Sequence, residues 1–305
     1  MKAIFRKEIA DYFSSSRFMI VFLVAVFTSI IAYYSAAEGI SLRITGEFIF
    51  LRLFTTQIRN WELGFLISFA NFTALFFIPL IGISLGFDAI NKERTSGTLS
   101  RIVSQPVFRD TIINAKFLAG LAVLAVMVTI ALFLTVGYGV GLRSVASLLG
   151  FQPPIAFPPP GAEELIRLFI YFAFSIIYGA FWMGLAMIFS IASRSTATSL
   201  LTSLGLWIFL SIGAVLILWA IGRTTQEVTT LTSVLQVTPA ILFADATNTM
   251  LFPLGMTTGV FVQNPLSLGQ SLLDIWPQLT GLISLTAICF AASYMLFMRQ
   301  EIRST

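Results

Sequence analysis

The chain has 305 residues, of which 57% are hydrophobic and 10% charged, with a net charge of +4 and a mean hydropathy of +0.92. A soluble domain carries about 25% charged residues, so this composition excludes a water-covered globular protein and indicates an integral membrane protein. The basic residues flank apolar runs, which argues against nucleic-acid binding; the absence of histidine removes His-based acid–base catalysis and most zinc sites; and Cys289, the one cysteine, excludes an intrachain disulfide.

The first segment, Met1–Phe13, is amphipathic. Met1, Ile4, Phe5, Ile9, Tyr12 and Phe13 share one half of a helical wheel and Arg6, Lys7 and Asp11 the other, with Lys2 and Glu8 blurring the boundary. This pattern predicts a helix over about 1–15 lying in the membrane interface. It does not have the layout of a secretory signal peptide, since acids follow the bases and no small-residue cleavage site follows a short apolar core.

A membrane span needs about 20 apolar residues. Six stretches qualify: Phe18–Ala37, Leu63–Gly86, Ile112–Gly137, Leu165–Ser190, Ala197–Ile221 and Pro277–Met298. Runs of this length satisfy their backbone polarity as helices. The charges inside them, Lys116 and Arg167, lie near span ends, where long side chains are expected to snorkel to the interface. In the second span, Pro79 predicts a kink, and Gly82-Ile-Ser-Leu-Gly86 is a small-xxx-small pattern that permits close helix approach. Ser68 and Asn71 lie near the middle of the same span and are candidates for a substrate path, although satisfaction by a neighbouring helix is the commoner role.

Six spans place both termini on one side. That side holds 12 of the 18 Lys and Arg, so the positive-inside rule predicts cytoplasmic termini. The expected external loops are 38–62, 138–164 and 222–276. The second contains Pro-Pro and Pro-Pro-Pro runs, and the third predicts a short helix over V-T-P-A-I-L-F-A-D-A-T-N-T-M-L with Asp245 exposed. The chain thus reads as one all-α transmembrane domain over 1–305.

The most densely charged stretch, Asp88–Lys116, joins the second and third spans on the cytoplasmic side. Asn91 is a candidate helix cap, Glu93 sits early in the helix where the dipole favours an acid, and Pro106 stops the run. A solvated basic loop drawn to anionic lipid is the plainer reading. No G-x-x-x-x-G-K-[ST] motif, no carboxylate pair within a span and no metal-ligand cluster occurs in the sequence.

The pattern E-R-T-S-G-T-L-x(6)-P-V-x-R, followed by I-I-N-A-K, resembles the cytoplasmic loop of type-2 ATP-binding-cassette exporter permeases. It matches at Glu93, Gly97, Thr98, Leu99, Pro106, Val107, Arg109 and Lys116, with Phe108 where Ser or Thr is commoner. K-E-I-A-D-Y-F resembles that family's amphipathic lead-in helix, and S-R-S-T-A its turn between spans four and five. P-A-I-L-F-A-D-A-T is similar to a segment of the nitrous-oxide-reductase maturation permease group.

The resemblance implies a non-catalytic transmembrane subunit in the plasma membrane, without a cofactor of its own. A separate cytoplasmic ATPase would carry ATP and magnesium, and two permease chains would form the complex. The loop 88–110 would be the coupling helix, with Glu93, Arg94, Gly97, Thr98, Leu99, Arg101, Pro106 and Arg109 at the ATPase junction. Gly97 would allow close backbone approach, and Glu93, Arg94 and Arg101 would supply polar contacts to that partner. Two other readings remain: an ATP-independent carrier or channel, and an ATPase-coupled protein that transmits force without moving solute. The sequence carries no substrate signature.

Overall fold

The computed structural model describes residues 2–40, 50–55, 68–97, 108–141, 159–213, 216, 238–251, 256–257, 260–261 and 266–299. In chain order the helices are α1 (Lys2–Phe13), α2 (Ser16–Ile40), α3 (Arg52–Thr55), α4 (Phe69–Phe72), α5 (Ile78–Gly86), α6 (Asn91–Thr95), α7 (Arg109–Val136), α8 (Ala162–Ala192), α9 (Thr196–Ile208), α10 (Pro239–Leu251), α11 (Leu268–Asp274) and α12 (Trp276–Arg299). A two-residue antiparallel pair joins Met256–Thr257 to Val260–Phe261.

Five helices are long and apolar enough to cross a membrane: Ser16–Ala36, Phe69–Thr95, Arg109–Gly139, Ala162–Ala192 and Trp276–Arg299. Each coincides with most or all of one of the stretches read as spans; of Leu63–Gly86, residues 63–67 lie outside the described residues. The remaining stretch, Ala197–Ile221, shows as the shorter apolar helix α9 and its widened continuation Phe209–Gly213. Beyond that, all but Leu216 lies outside the described residues, so five long helices stand where six were expected.

The local chemistry accounts for where these helices begin. Asp110 lies in the first turn of α7, and Glu163 and Glu164 in that of α8, where acids meet the positive end of the dipole. Gly161 N–H donates to Glu164 Oε2 at 2.8 Å, the Ser195 hydroxyl caps α9, and Ser267 pairs reciprocally with Gln270 at the start of α11. Inside the apolar helices, hydroxyls back-bond to carbonyls four residues earlier, as in Thr28 to Val24, Thr135 to Ala131 and Ser175 to Tyr171. Their polarity is thereby satisfied without water.

Helix α8 is central and packs against α5, α7, α9, α10 and α12. Its Tyr178, Trp182 and Met183 are buried. Against it lies the small-residue pattern of α5, so that pattern joins two helices of one chain. A Cβ on Gly82 would stand 2.6 Å from the Gly179 carbonyl oxygen and 2.8 Å from Trp182 Cβ, and one on Gly86 would collide with the Met183 carbonyl. Helix α2 packs on α7 through Ser29, whose hydroxyl reaches Ala131 O at 3.1 Å, while Met19, Ile20, Leu23, Phe27 and Ile30 face outward as a lipid-facing helix requires.

The expected kink takes a specific form. Proline has no N–H to give. Ahead of Pro79 the helix widens over Thr73–Phe77, where Ile78 N–H reaches back five residues to Thr73 O. The Ala74 carbonyl accepts from Tyr178 OH and the Leu75 carbonyl from Trp207 Nε1, both at 2.9 Å. The irregular backbone is tied by side chains of α8 and α9.

The short helix expected in the third external loop is α10, with Asp245 exposed. It folds back along α8 and α12, with Phe243 stacked on Tyr178 at 4.5 Å between ring centroids. Arg167 anchors its C-terminal end. This side chain does not snorkel: it is fully buried and bonds Glu163 Oε1, Met250 O, Ser271 Oγ and Leu266 O.

Candidate functional site

The charged stretch Asp88–Lys116 begins as a continuation of the second long helix. Residues 87–90 form a turn and α6 follows. Asn91 is the first helical residue and not its cap. The capping acceptor comes from α8 instead: Ser190 Oγ takes the N–H of Ile90 and of Asn91, each at 3.1 Å. Asn91 Nδ2 donates to Ser195 O, Ser199 Oγ to Phe87 O, and Arg94 to the carbonyls of Ser193 and Ile191. The start of the hook is thus fixed on the turn between α8 and α9.

Its other side meets α1 and α7. Lys116 Nζ lies 2.9 Å from both Glu8 Oε1 and Glu93 Oε1, and all three residues are buried. Lys7, more than half exposed, reaches Glu8, Glu93 and Asp11 at 3.5–3.7 Å. Burial lowers the ammonium pKa of Lys7, but Glu8, Glu93 and Asp11 outweigh it and hold that pKa above the usual lysine value. Helix α1 is also pinned by Tyr12 OH, which donates to Leu85 O at 2.8 Å. Burial, with help from Glu8, pushes the Tyr12 pKa up, so the phenol stays protonated. Arg17, at the head of α2, pairs with Asp88 at 2.7 Å and lies over the Phe87 ring.

Between α1 and the hook is a cavity of about 240 Å³ lined by both charge signs. Lys7, Arg17, Lys92 and Lys116 face Glu8, Asp11, Asp88 and Glu93, which gives no bias toward an anion or a cation. Among the described residues there is no group of three or more His, Cys, Asp or Glu able to hold a metal.

The structure sorts the residues singled out from sequence. Glu93 and Arg94, read as partner contacts, are both engaged within the chain. Lys116, expected to snorkel, is instead buried between two carboxylates. The exposed side of the hook carries Lys92, Thr95, Ser96 and Gly97. Gly97 has φ +67°, with open space where a Cβ would stand. Its glycine is needed for a left-handed turn that ends α6. Arg109 opens α7; Thr98, Leu99, Arg101 and Pro106 lie outside the described residues. Ser68, buried, accepts the N–H of Asn71 at the start of α4, which is a capping role. Neither lines the charged cavity. Glu8, Ser190 and Asp88 were missed by motif. The one visible signal was Glu8, an acid on the boundary of the apolar half of α1.

The model of the ABC-2 family transporter proteins matches residues 2–302. The chain belongs to the ABC-2 transporter family. It is therefore a membrane permease of the ATP-binding-cassette class. The permease is also 28% identical over 139 residues to the probable ABC transporter permease protein NosY of Pseudomonas aeruginosa, a match covering 45% of this chain and 45% of that protein. The chain thus aligns with less than half the length of this curated relative. The buried Glu8–Lys116–Glu93 cluster sits where the permease's second and third long helices meet its N-terminal helix.

Proposed function

We propose that this permease is the transmembrane subunit of an exporter driven by a separate cytoplasmic ATPase, docked through the loop 88–110. The family match over residues 2–302 carries the proposal. The anchoring of the hook supports it. A lever must be rigidly joined to what it moves, and the start of this loop is bonded to α1 through Lys7–Glu93, to α7 through Lys116–Glu93, to α8 and to the head of α9. In this reading the exposed residues Lys92, Thr95, Ser96 and Gly97 meet the ATPase, with Thr98, Leu99, Arg101 and Pro106 continuing that surface. Glu93 and Arg94 act from behind as the fixings.

The same reading gives the chain six spans, with both termini and α1 on the cytoplasmic side and α1 lying in the interface. Two permease chains, identical or related, flank the transport path. ATP and magnesium belong to the ATPase, and closure of its dimer would move the hook and with it the long helices. The resemblance of P-A-I-L-F-A-D-A-T to the nitrous-oxide-reductase maturation permease group makes such a maturation role a candidate context, without naming a substrate.

Purification of the permease co-expressed with a stand-alone ATP-binding-cassette ATPase of its own genome tests the assembly. Native mass spectrometry is expected to show two permease and two ATPase chains. A functional one-to-one complex, or transport by the permease without an ATPase, would contradict the proposal.

A further inference from the structure

Helix α10 carries its polarity on the wrong side for a helix in lipid. Its 13 residues span about 20 Å. Phe243 stacks on Tyr178, the seventeenth of the 31 residues of α8, while Met250 O is bonded to Arg167 near the end of that helix. Helix α10 therefore runs from one end of the bundle to about its middle. Its bundle-facing residues are Ala240, Phe243, Ala246, Thr247 and Met250, all buried. Its exposed residues are Asp245 and, three positions on, Asn248.

Asp245 is two residues from Phe243 and so lies about 3 Å farther out along the axis. The half-thickness of a hydrocarbon core is about 15 Å. A carboxylate on the outside of the chain at this depth is strongly disfavoured against lipid, as is the amide of Asn248; such groups are kept where they face water or line a path.

We propose that Asp245 is the carboxylate of a solvated site on the transport path, open to the side opposite α1, and that it receives cationic solutes or the cationic group of a larger one. The inference rests on the two-chain permease reading, since the second chain closes the path and keeps lipid from α10. The charge selects the class. The cavity beside α1 mixes both signs, whereas α10 carries Asp245 as its one ionisable residue.

The test uses the full permease with its ATPase in sealed vesicles, in a Cys289→Ser background. Asn248→Cys is the reporter, and Ile241→Cys, one turn deeper than Asp245, is the second. The probes are two water-soluble thiosulfonates of similar size, one bearing trimethylammonium and one sulfonate, added from the side opposite α1. Both are expected to react, the cation faster. A unit charge about 6 Å away in water changes each rate about threefold, so Asp245→Asn should lower the cation-to-anion ratio about tenfold. Three results would overturn the proposal. Reaction with a lipid-soluble maleimide alone would place the face in lipid, reaction with no probe would place it in a dry interface, and a ratio unmoved by Asp245→Asn would remove the charge preference. Each leaves ATPase co-purification intact, so the site and the family-level reading fail separately.

Discussion

Two residues show how this chain handles polarity away from water. Lys116 is held by two buried carboxylates, and removal of one partner from such a cluster leaves charge uncompensated, at a cost of about 3–5 kcal/mol. Lys116→Met is expected to lower the melting temperature of the detergent-solubilised permease sharply. Adding Glu8→Gln and Glu93→Gln should restore most of the loss; a single substitution as benign as the triple would show that the cluster does not hold α1 to the hook. Trp207 plays the matching part in the apolar interior. Trp207→Phe strands the Leu75 carbonyl and is expected to cost about 1–3 kcal/mol. In a Pro79→Ala background the restored N–H can serve that region of backbone, so the cost should shrink. Equal costs in both backgrounds, read from denaturation curves, would break the link between the proline and the tryptophan.

At the scale of elements, the α5–α8 contact is set by glycine. A side chain at Gly82 would meet backbone, which cannot step aside, whereas a side chain at Gly205 meets open space. Gly82→Leu should abolish stable folding and Gly205→Leu should leave the stability of a single chain near wild type, as measured by monodispersity and thermal unfolding. The positions of the long helices were legible because runs of 20 or more apolar residues admit one solution in lipid. Gly82 and Gly86 were legible as a close-packing pattern, though not the partner, because one sequence does not say which helix lies opposite. The inward-folded α10 was not legible: a helical period over 239–251 carries no information about whether the helix lies on the bundle or within it. The coupling residues were read from their motif spacing, yet Glu93 and Arg94 turned out to be held by Lys116 and by the α8–α9 turn, contacts made across about a hundred positions or from another helix.

On the scale of the whole molecule, the account predicts a direction. With 12 of 18 basic residues on the α1 side, Arg101→Cys in a Cys289→Ser background should resist a membrane-impermeant thiol reagent in intact cells and react after permeabilisation. Labelling in intact cells would invert the topology and move the hook away from any cytoplasmic ATPase. Provided the topology holds, the central claim is that this hook is the docking surface. Ser96 is the most direct probe of it. The residue is exposed, its φ of −82° suits any side chain, and a bulky replacement there does not strain the turn that Gly97 makes. Ser96→Trp is expected to leave expression, membrane insertion and chain pairing unchanged while reducing co-purified ATPase at least tenfold, with transport falling in parallel. Wild-type levels of bound ATPase and of transport in Ser96→Trp would contradict the claim.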